Sequence, residues 1–276
     1  MSNITESLPQ GINFNYLNSL NRNHHTCFLV PTDEIEVAGI IKAMPNKGNS
    51  IVDIKPHILL LISDIFCKVI AYLYNLSISN GIYPELLKIG RVVPVFKSGD
   101  PSKISNYRPI TNLLNVNKIF ELLTYKRIMK FIERFDLLTS QQFGFRKAKN
   151  TTQAIFKLTT DILRTFHEKS YTVALFLDLS KAFDTISREI LVEKLLSYGF
   201  RGVTNSYLSS YLSDRKQYVN LGNHKSSTES INHGVPQGSV LGPLLSNIYI
   251  NDIVIVGTAK KILFADDAVF YITEFL

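Results

Sequence analysis

Cysteine is scarce, with only Cys27 and Cys67 in the chain. Two thiols supply neither a disulfide framework nor a zinc site, so both read as reduced cysteines. A secretory leader is missing too. The opening Met-Ser-Asn-Ile-Thr-Glu-Ser has no basic region and no apolar run, which leads one to expect a nuclear or cytoplasmic protein. Long hydrophobic runs are interrupted. The most apolar stretch, residues 58–74, carries Asp64 and Lys68 in its middle. Each charge would cost about 2.5–3.5 kcal/mol at a bilayer centre, whereas at i,i+4 spacing the two share one exposed helix face. A largely buried soluble helix is expected there, and no membrane partner. Internal repeats and low-complexity tracts are absent.

What is present is ordinary in bulk. The 276 residues are 45% hydrophobic and 19% charged, the balance of a folded chain with one or two compact units. The formal net charge of +7 favours a polyanionic partner.

The informative residues are acidic. Asp266 and Asp267 sit between two apolar, strand-like runs across residues 262–272, so a hairpin is expected with the pair at its turn. Two carboxylates about 4 Å apart repel by roughly 4 kcal/mol at an effective dielectric near 20. The arrangement makes sense if a cation binds there; a solvated turn is the alternative. Upstream, Val173 to Leu177 is apolar throughout and reads as a strand buried on both faces, ending at Asp178. Ser187 is a candidate N-cap for the helix that follows. Three carboxylates converging on one point would suit Mg²⁺, and two such ions about 3.5–4 Å apart hold the attacking and leaving oxygens of a phosphoryl transfer. A third segment, residues 234–252, is a loop punctuated by Gly234, Gly238 and Gly242 that leads into an apolar helix. Its glycines let backbone approach a ligand closely, and Gln237 offers both a donor and an acceptor. An ordinary connector is the alternative.

Together and in this order, the three segments resemble the polymerase core of reverse transcriptases, above all those of non-LTR (LINE-like) retrotransposons, with a jockey-like element among the candidates. Phe176-Leu-Asp-Leu-Ser-Lys-Ala-Phe-Asp184 is similar to the family's first catalytic motif and Phe264-Ala-Asp-Asp267 to its second. Gly234-Val-Pro-Gln-Gly-Ser-Val-Leu-Gly-Pro243 is similar to its template and nucleotide motif. Asn106-Tyr-Arg-Pro-Ile110 and Gln142-Phe-Gly-Phe-Arg146 resemble its fingers motifs.

The resemblance implies an RNA-directed DNA polymerase that adds a dNTP to a DNA primer's 3′-hydroxyl on an RNA template. It implies two Mg²⁺ ions, with Mn²⁺ as the alternative ion. Asp178, Asp266 and Asp267 become catalytic metal ligands, joined by the backbone carbonyl of Leu179. Phe183 takes the place of an aromatic gate against a ribose 2′-hydroxyl, with a core phenylalanine as the alternative. Asp184 is expected to cap its turn. Lys97 and Arg108 resemble cations that hold the incoming triphosphate. Gln237 and Gly238 line the nucleotide pocket. Arg146 touches template or nucleotide phosphate, or else forms a structural ion pair. The Lys126-Arg127-Lys130 cluster contacts nucleic-acid backbone or is a solvated helix face.

The expected fold is α+β, a right-hand polymerase with helices packed on a small antiparallel sheet. Residues 1–50 would be a partly disordered extension, 51–160 the fingers and 161–276 an incomplete palm, with 51–276 forming the reverse transcriptase domain. A thumb is missing, so the chain reads as truncated just after the second catalytic motif and is expected to polymerise weakly or not at all. A non-catalytic remnant that at most binds nucleic acid, or a group II intron maturase-like protein, are the competing readings. Helices are expected at 33–44, from Pro56 to Gly81, and over 113–135, 152–168, 187–198, 203–213 and 240–252. Further strands are expected at 91–96 and 217–221.

Overall fold

Asp33 accepts a hydrogen bond from the Glu36 N–H at 2.7 Å and so starts α1 (Glu34–Ala43), as its place before an apolar-periodic stretch predicts. The structure, a computed structural model, describes residues 22–45, 54–179 and 181–275. About half of the expected partly disordered extension, residues 1–21 and 46–50, falls outside these residues. Pro56 opens α2 (Pro56–Leu61) at its first position, where its missing N–H costs nothing. The single helix expected up to Gly81 breaks at Ile62 and resumes as α3 (Ser63–Asn80), closed by Gly81 at φ 69°. It is also half-buried rather than largely buried. Cys67, Ile70, Ala71, Tyr74 and Ile78 face the core, but Leu61, Ile65 and Tyr72 are exposed. The stretch is apolar nearly all round, and its main neighbours, α1 and the later α8, cover one side only.

The chain continues through α4 (Asn115–Arg134), α5 (Thr151–His167), the short α6 (Ala182–Thr185), α7 (Arg188–Tyr198), α8 (Val203–Leu212) and α9 (Leu241–Ile250). The helix expected to reach residue 252 tightens at Asn251 into a 3₁₀ turn, Asn251–Ile255. Asn150 and Gln153 form a reciprocal capping box at α5, and the Ser187 hydroxyl caps α7 as expected. Leu123, Leu195, Tyr207 and Leu245 pack with α3 into the main core. Inside it, Tyr83 meets Phe120, Tyr207 and Tyr211 edge-on, and its hydroxyl donates to Asn117 at 2.6 Å. Large rings therefore fill the core while their polar tips stay satisfied.

Two sheets flank this core. In the first, β1 (Ile89–Phe96) pairs antiparallel with β2 (Tyr107–Asn112) from Arg91↔Asn112 to Phe96↔Tyr107. It also pairs in parallel with a much later strand, after the second sheet's β3 (Ser170–Asp178): β4 (Arg215–Leu221), from Ile89↔Lys216 to Val92↔Val219. Pro94 lies beyond the last rung with β4 and faces Pro109 on β2, so neither proline interrupts a central ladder. Two short strands, β5 (His224–Lys225) and β6 (Glu229–Ile231), extend β4. The second sheet has the order β3, then β8 (Asp267–Phe275), then β7 (Lys260–Phe264), all antiparallel. The α+β architecture is as expected, but β3 is not buried on both faces. It is an edge strand, with Val173, Leu175 and Phe176 at 65%, 57% and 67% exposure. A continuous apolar run fits a two-sided burial equally well, and among the described residues β3 has a partner strand on one side only.

Residues 23–32 carry no motif, yet they form a strap across the core. The Cys27 N–H donates to the Gly199 carbonyl at 2.8 Å. Thr204 donates to the Cys27 carbonyl at 2.9 Å, and Arg127 donates to the carbonyls of Val30 and Pro31. Arg127 is nine-tenths buried and paired with Glu36 at 2.8 Å. It therefore leaves the surface cluster in which it was counted, because its guanidinium is consumed in binding the strap.

Candidate active site

The acidic hairpin forms as expected. Phe264 and Asp267 are its closing pair, and Ala265 and Asp266 are the two turn residues. Asp267 pairs with Asp178 across β8 and β3. The Leu179 N–H donates to the Asp266 carbonyl at 3.2 Å, which makes that rung hydrogen-bonded. By alternation Asp178–Asp267 is then a non-hydrogen-bonded rung, with Cα atoms about 4.5 Å apart and side chains at their closest. Two carboxylates thus stand side by side on one sheet face. The same face carries Ile262, Phe264, Val269, Tyr271 and Ala174, which pack with Ala154 and Leu158 of α5, so a small apolar core ends where the acids begin.

Asp178 and Asp267 are exposed, and Asp266 is half-buried in the turn. No salt bridge within the described residues reaches any of the three. Nor do three His, Cys, Asp or Glu side chains among those residues lie close enough to cage a metal. Strand alternation separates neighbouring side chains, and repulsion gives the third carboxylate no reason to approach unaided.

The turn itself is unusual. Ala265 has φ +56° and Asp266 does not have a positive φ, a pattern that hairpins reserve for glycine at the first turn position. Residues 141–144 hold this conformation. The Leu263 N–H donates to the Gln141 carbonyl at 2.9 Å, and the Phe143 N–H donates to the Leu263 carbonyl at 2.7 Å. Buried Gln142 accepts through Oε1 from the N–H groups of Gly144 (2.7 Å) and Ala265 (3.2 Å). A Cβ on Gly144 would lie 2.2 Å from the Ala265 nitrogen. The Gly144 carbonyl in turn accepts from buried Asn247 of α9 at 3.1 Å.

From there contacts run to the other expected site residues. The Phe145 ring meets the half-buried Phe183 ring edge-on at 5.9 Å. The Val235 N–H donates to the Phe183 carbonyl, and the Gly234 N–H to that of Ile186, both at 2.8 Å. Gln237 donates through Nε2 to Asp184 at 3.1 Å, so Asp184 holds the glycine loop rather than capping its own turn. Burial raises the Asp184 carboxyl above its ordinary range, against the pull of Gln237 and Lys181. The Thr111 N–H of β2 donates to the Gln237 carbonyl at 2.7 Å. A Cβ on Gly238, at φ +107°, would lie 2.6 Å from the Thr111 carbonyl oxygen.

Lys97 and Arg108 stand farther off. Both are exposed at the β1–β2 hairpin, and Arg108 lies three residues from Thr111, roughly 10 Å along an extended strand. Arg146 is half-buried and donates to the Thr139 carbonyl at 3.2 Å. Beside it, burial and the charges of Arg146 and Lys157 lower the Lys149 ammonium's pKa. A groove of about 560 Å³ on α4 is lined by Lys126, Lys130, Arg134 and Lys147, with Glu133 as its acid. Gln142, Gly144, Asn247 and Ala265 lie within the segments singled out in the sequence, but the sequence assigned them no role of their own. A glycine between aromatics in a strand-like segment was the available signal, since it marks close backbone approach.

Residues 96–274 match the family described as Reverse transcriptase (RNA-dependent DNA polymerase). The chain belongs to that family, whose general function is nucleotidyl transfer with divalent metal ions. Among curated relatives, it is 35% identical over 188 residues to the probable RNA-directed DNA polymerase from transposon BS of Drosophila melanogaster, covering 67% of this chain and 20% of that protein. It is 32% identical over 207 residues to the probable RNA-directed DNA polymerase from transposon X-element of the same species, covering 72% and 22%. It is 31% identical over 227 residues to the RNA-directed DNA polymerase from mobile element jockey, again of that species, covering 79% and 24%. The chain therefore spans between a fifth and a quarter of these relatives' length. No helix among the described residues is long and apolar enough to cross a membrane.

Proposed function

We propose that this chain is the RNA-directed DNA polymerase core of a non-LTR retrotransposon, joining a dNTP to a primer 3′-hydroxyl on an RNA template. The observation that carries the reading is the Asp178–Asp267 rung with Asp266 in the adjoining turn. Exposed carboxylates side by side, with no salt bridge among the described residues to neutralise them, fit hard divalent cations such as Mg²⁺. Asp178, Asp266, Asp267 and the Leu179 carbonyl would hold two such ions. When bound, they supply the positive charge that steadies the attacking and leaving oxygens.

The chain's own residues select and orient the reactants. Phe183, braced by Phe145, presents an aromatic edge where a 2′-hydroxyl would sit. Gln237 is fixed by Asp184, and Gly238 lets backbone come close to a nucleotide. Arg108 grips phosphate with paired hydrogen bonds and Lys97 acts as a point charge. Arg146 and the α4 groove attract nucleic-acid backbone. Residues 51–160 act as fingers and 161–276 as palm, and the setting is nuclear or cytoplasmic.

Primer extension on an RNA template with dNTPs and Mg²⁺ tests the reading. Template-directed addition by the chain, lost in Asp178→Asn and Asp266→Asn variants that remain folded, supports it. Extension that survives either substitution overturns it. A folded chain that binds primer–template without extending it would favour the non-catalytic alternative.

A further inference from the structure

Asp266 occupies a turn whose first residue, Ala265, sits at φ +56°. Such a conformation in a residue with a Cβ persists only where the surroundings over-determine it. The Phe264↔Asp267 rung closes a two-residue loop and so favours positive φ at its first position, but the Ala265 N–H finds its acceptor outside the hairpin. The Gln142 side chain is 2% exposed, and its Oε1 collects the N–H groups of Ala265 and Gly144 together. Two N–H donors aimed at one atom require it to be the amide oxygen. A buried amide oxygen that accepts from two backbone N–H groups at once holds both in place.

The clamp is anchored on three sides. Backbone bonds tie Gln141 and Phe143 to Leu263 of β7. Asn247, 3% exposed, donates to the Gly144 carbonyl. Gly144 lies so close to Ala265 that no side chain fits between them. The next residue, Phe145, contacts the Phe183 ring, so one short segment meets both the acidic turn and the proposed ribose gate.

We infer that Gln142 is a positioning residue for nucleotidyl transfer: by holding the Ala265 N–H through Oε1, it fixes the left-handed turn that presents the Asp266 carboxylate. The inference rests on the proposed polymerase function for its catalytic consequence, but its structural half stands independently.

Amide hydrogen exchange and primer extension, measured on the 276-residue chain and two variants, separate the halves. Gln142→Met keeps the shape and removes the acceptor. Gln142→Glu keeps an acceptor for both N–H groups and guards against a Met variant that does not fold. Exchange at Ala265 and Gly144 should quicken by about tenfold or more in the Met variant, while Val269 and Tyr271 in the same hairpin stay protected. In the Glu variant, Ala265 should remain protected. For primer extension, the Met variant should lose roughly a hundredfold in kcat, the expected effect of misplacing a reacting group by about 1 Å, with KM for the dNTP changed less than about twofold. Unchanged protection of Ala265 in the Met variant overturns the clamp. Lost protection with unchanged kcat overturns its positioning role. A wild-type chain that extends no primer favours the non-catalytic alternative, while exchange still decides the clamp.

Discussion

Replacing Asp178 by asparagine should make the protein more stable, and adding a divalent cation should reverse that order. Asp178 and Asp267 face each other across one rung, both exposed. At about 5 Å, Coulomb's law gives ~0.8 kcal/mol of repulsion in water and ~3 kcal/mol at an effective dielectric of 20. Solvent exposure and salt screening favour the lower end, so about 0.5–1 kcal/mol is expected. Asn removes one charge and keeps the shape. In a chain of this size the gain amounts to roughly 1–2 °C in Tm. A cation that binds only the folded site contributes RT ln(1 + [L]/Kd), or about 1.4 kcal/mol at ten times Kd. The wild type should therefore climb above the variant as MgCl₂ is added, while the variant moves much less. Thermal unfolding followed by circular dichroism at fixed ionic strength, with and without Mg²⁺, reads this crossing. Two results would refute the reasoning: an Asn variant less stable than wild type without the cation, or equal Mg²⁺ shifts in both proteins.

Gly144→Ala forces a Cβ to within 2.2 Å of the Ala265 nitrogen. Urea unfolding should show a loss of about 1–3 kcal/mol, and primer extension should fall with it. Glu121 is fully buried and accepts from Val240 N–H, Tyr211 and Asn117. Burial nonetheless holds its carboxyl above the ordinary range, against the pull of the Val240 N–H and Tyr211. The folded chain keeps this proton after the unfolded chain, with a pKa of about 4.3, has released it. Stability from this group should therefore fall as pH rises between the two values, a slope absent from Glu121→Gln in urea melts taken across that range. Lys130→Gln with Lys147→Gln should weaken RNA binding and flatten its dependence on salt by about one to two in the log–log slope. Filter binding over a range of KCl concentrations measures this, and an unchanged slope would remove the groove from the nucleic-acid path.

The acids were legible because their pattern is local. Asp266 and Asp267 between apolar runs, and Asp178 at the end of another, need only strand periodicity to be placed. Which of the two would face Asp178 was not legible, because the register of β3 on β8 is set between strands about 90 residues apart. The parallel pairing of β1 with β4 was not legible, because the partners lie more than a hundred residues apart and neither strand names the other. Nor was the exposure of β3, which depends on what covers a strand rather than on its composition. Gln142-Phe-Gly-Phe-Arg146 drew attention for its cation. Its structural work is done by an amide and a missing side chain, and their partner, Ala265, looks unremarkable in sequence. Arg127 misled for the opposite reason, as a surface-type residue buried by a strap that carries no motif.

The strand order of the second sheet also sets when the site can exist. Its middle strand, β8, follows both β3 and β7 in the chain, and each depends on it for every rung within that sheet. About 90 residues separate β3 from β8, which at 5–20 residues per second is roughly 4–18 s of synthesis. Throughout that interval β3 offers Val173, Leu175 and Phe176 on a strand with both edges open, the kind of surface that chaperones bind and aggregates recruit. When β8 arrives, one event closes the sheet and sets Asp267 beside Asp178. The acidic rung would then form in a single step when β8 pairs with β3, and before that the nascent chain would have no partly assembled rung with which to capture metal early.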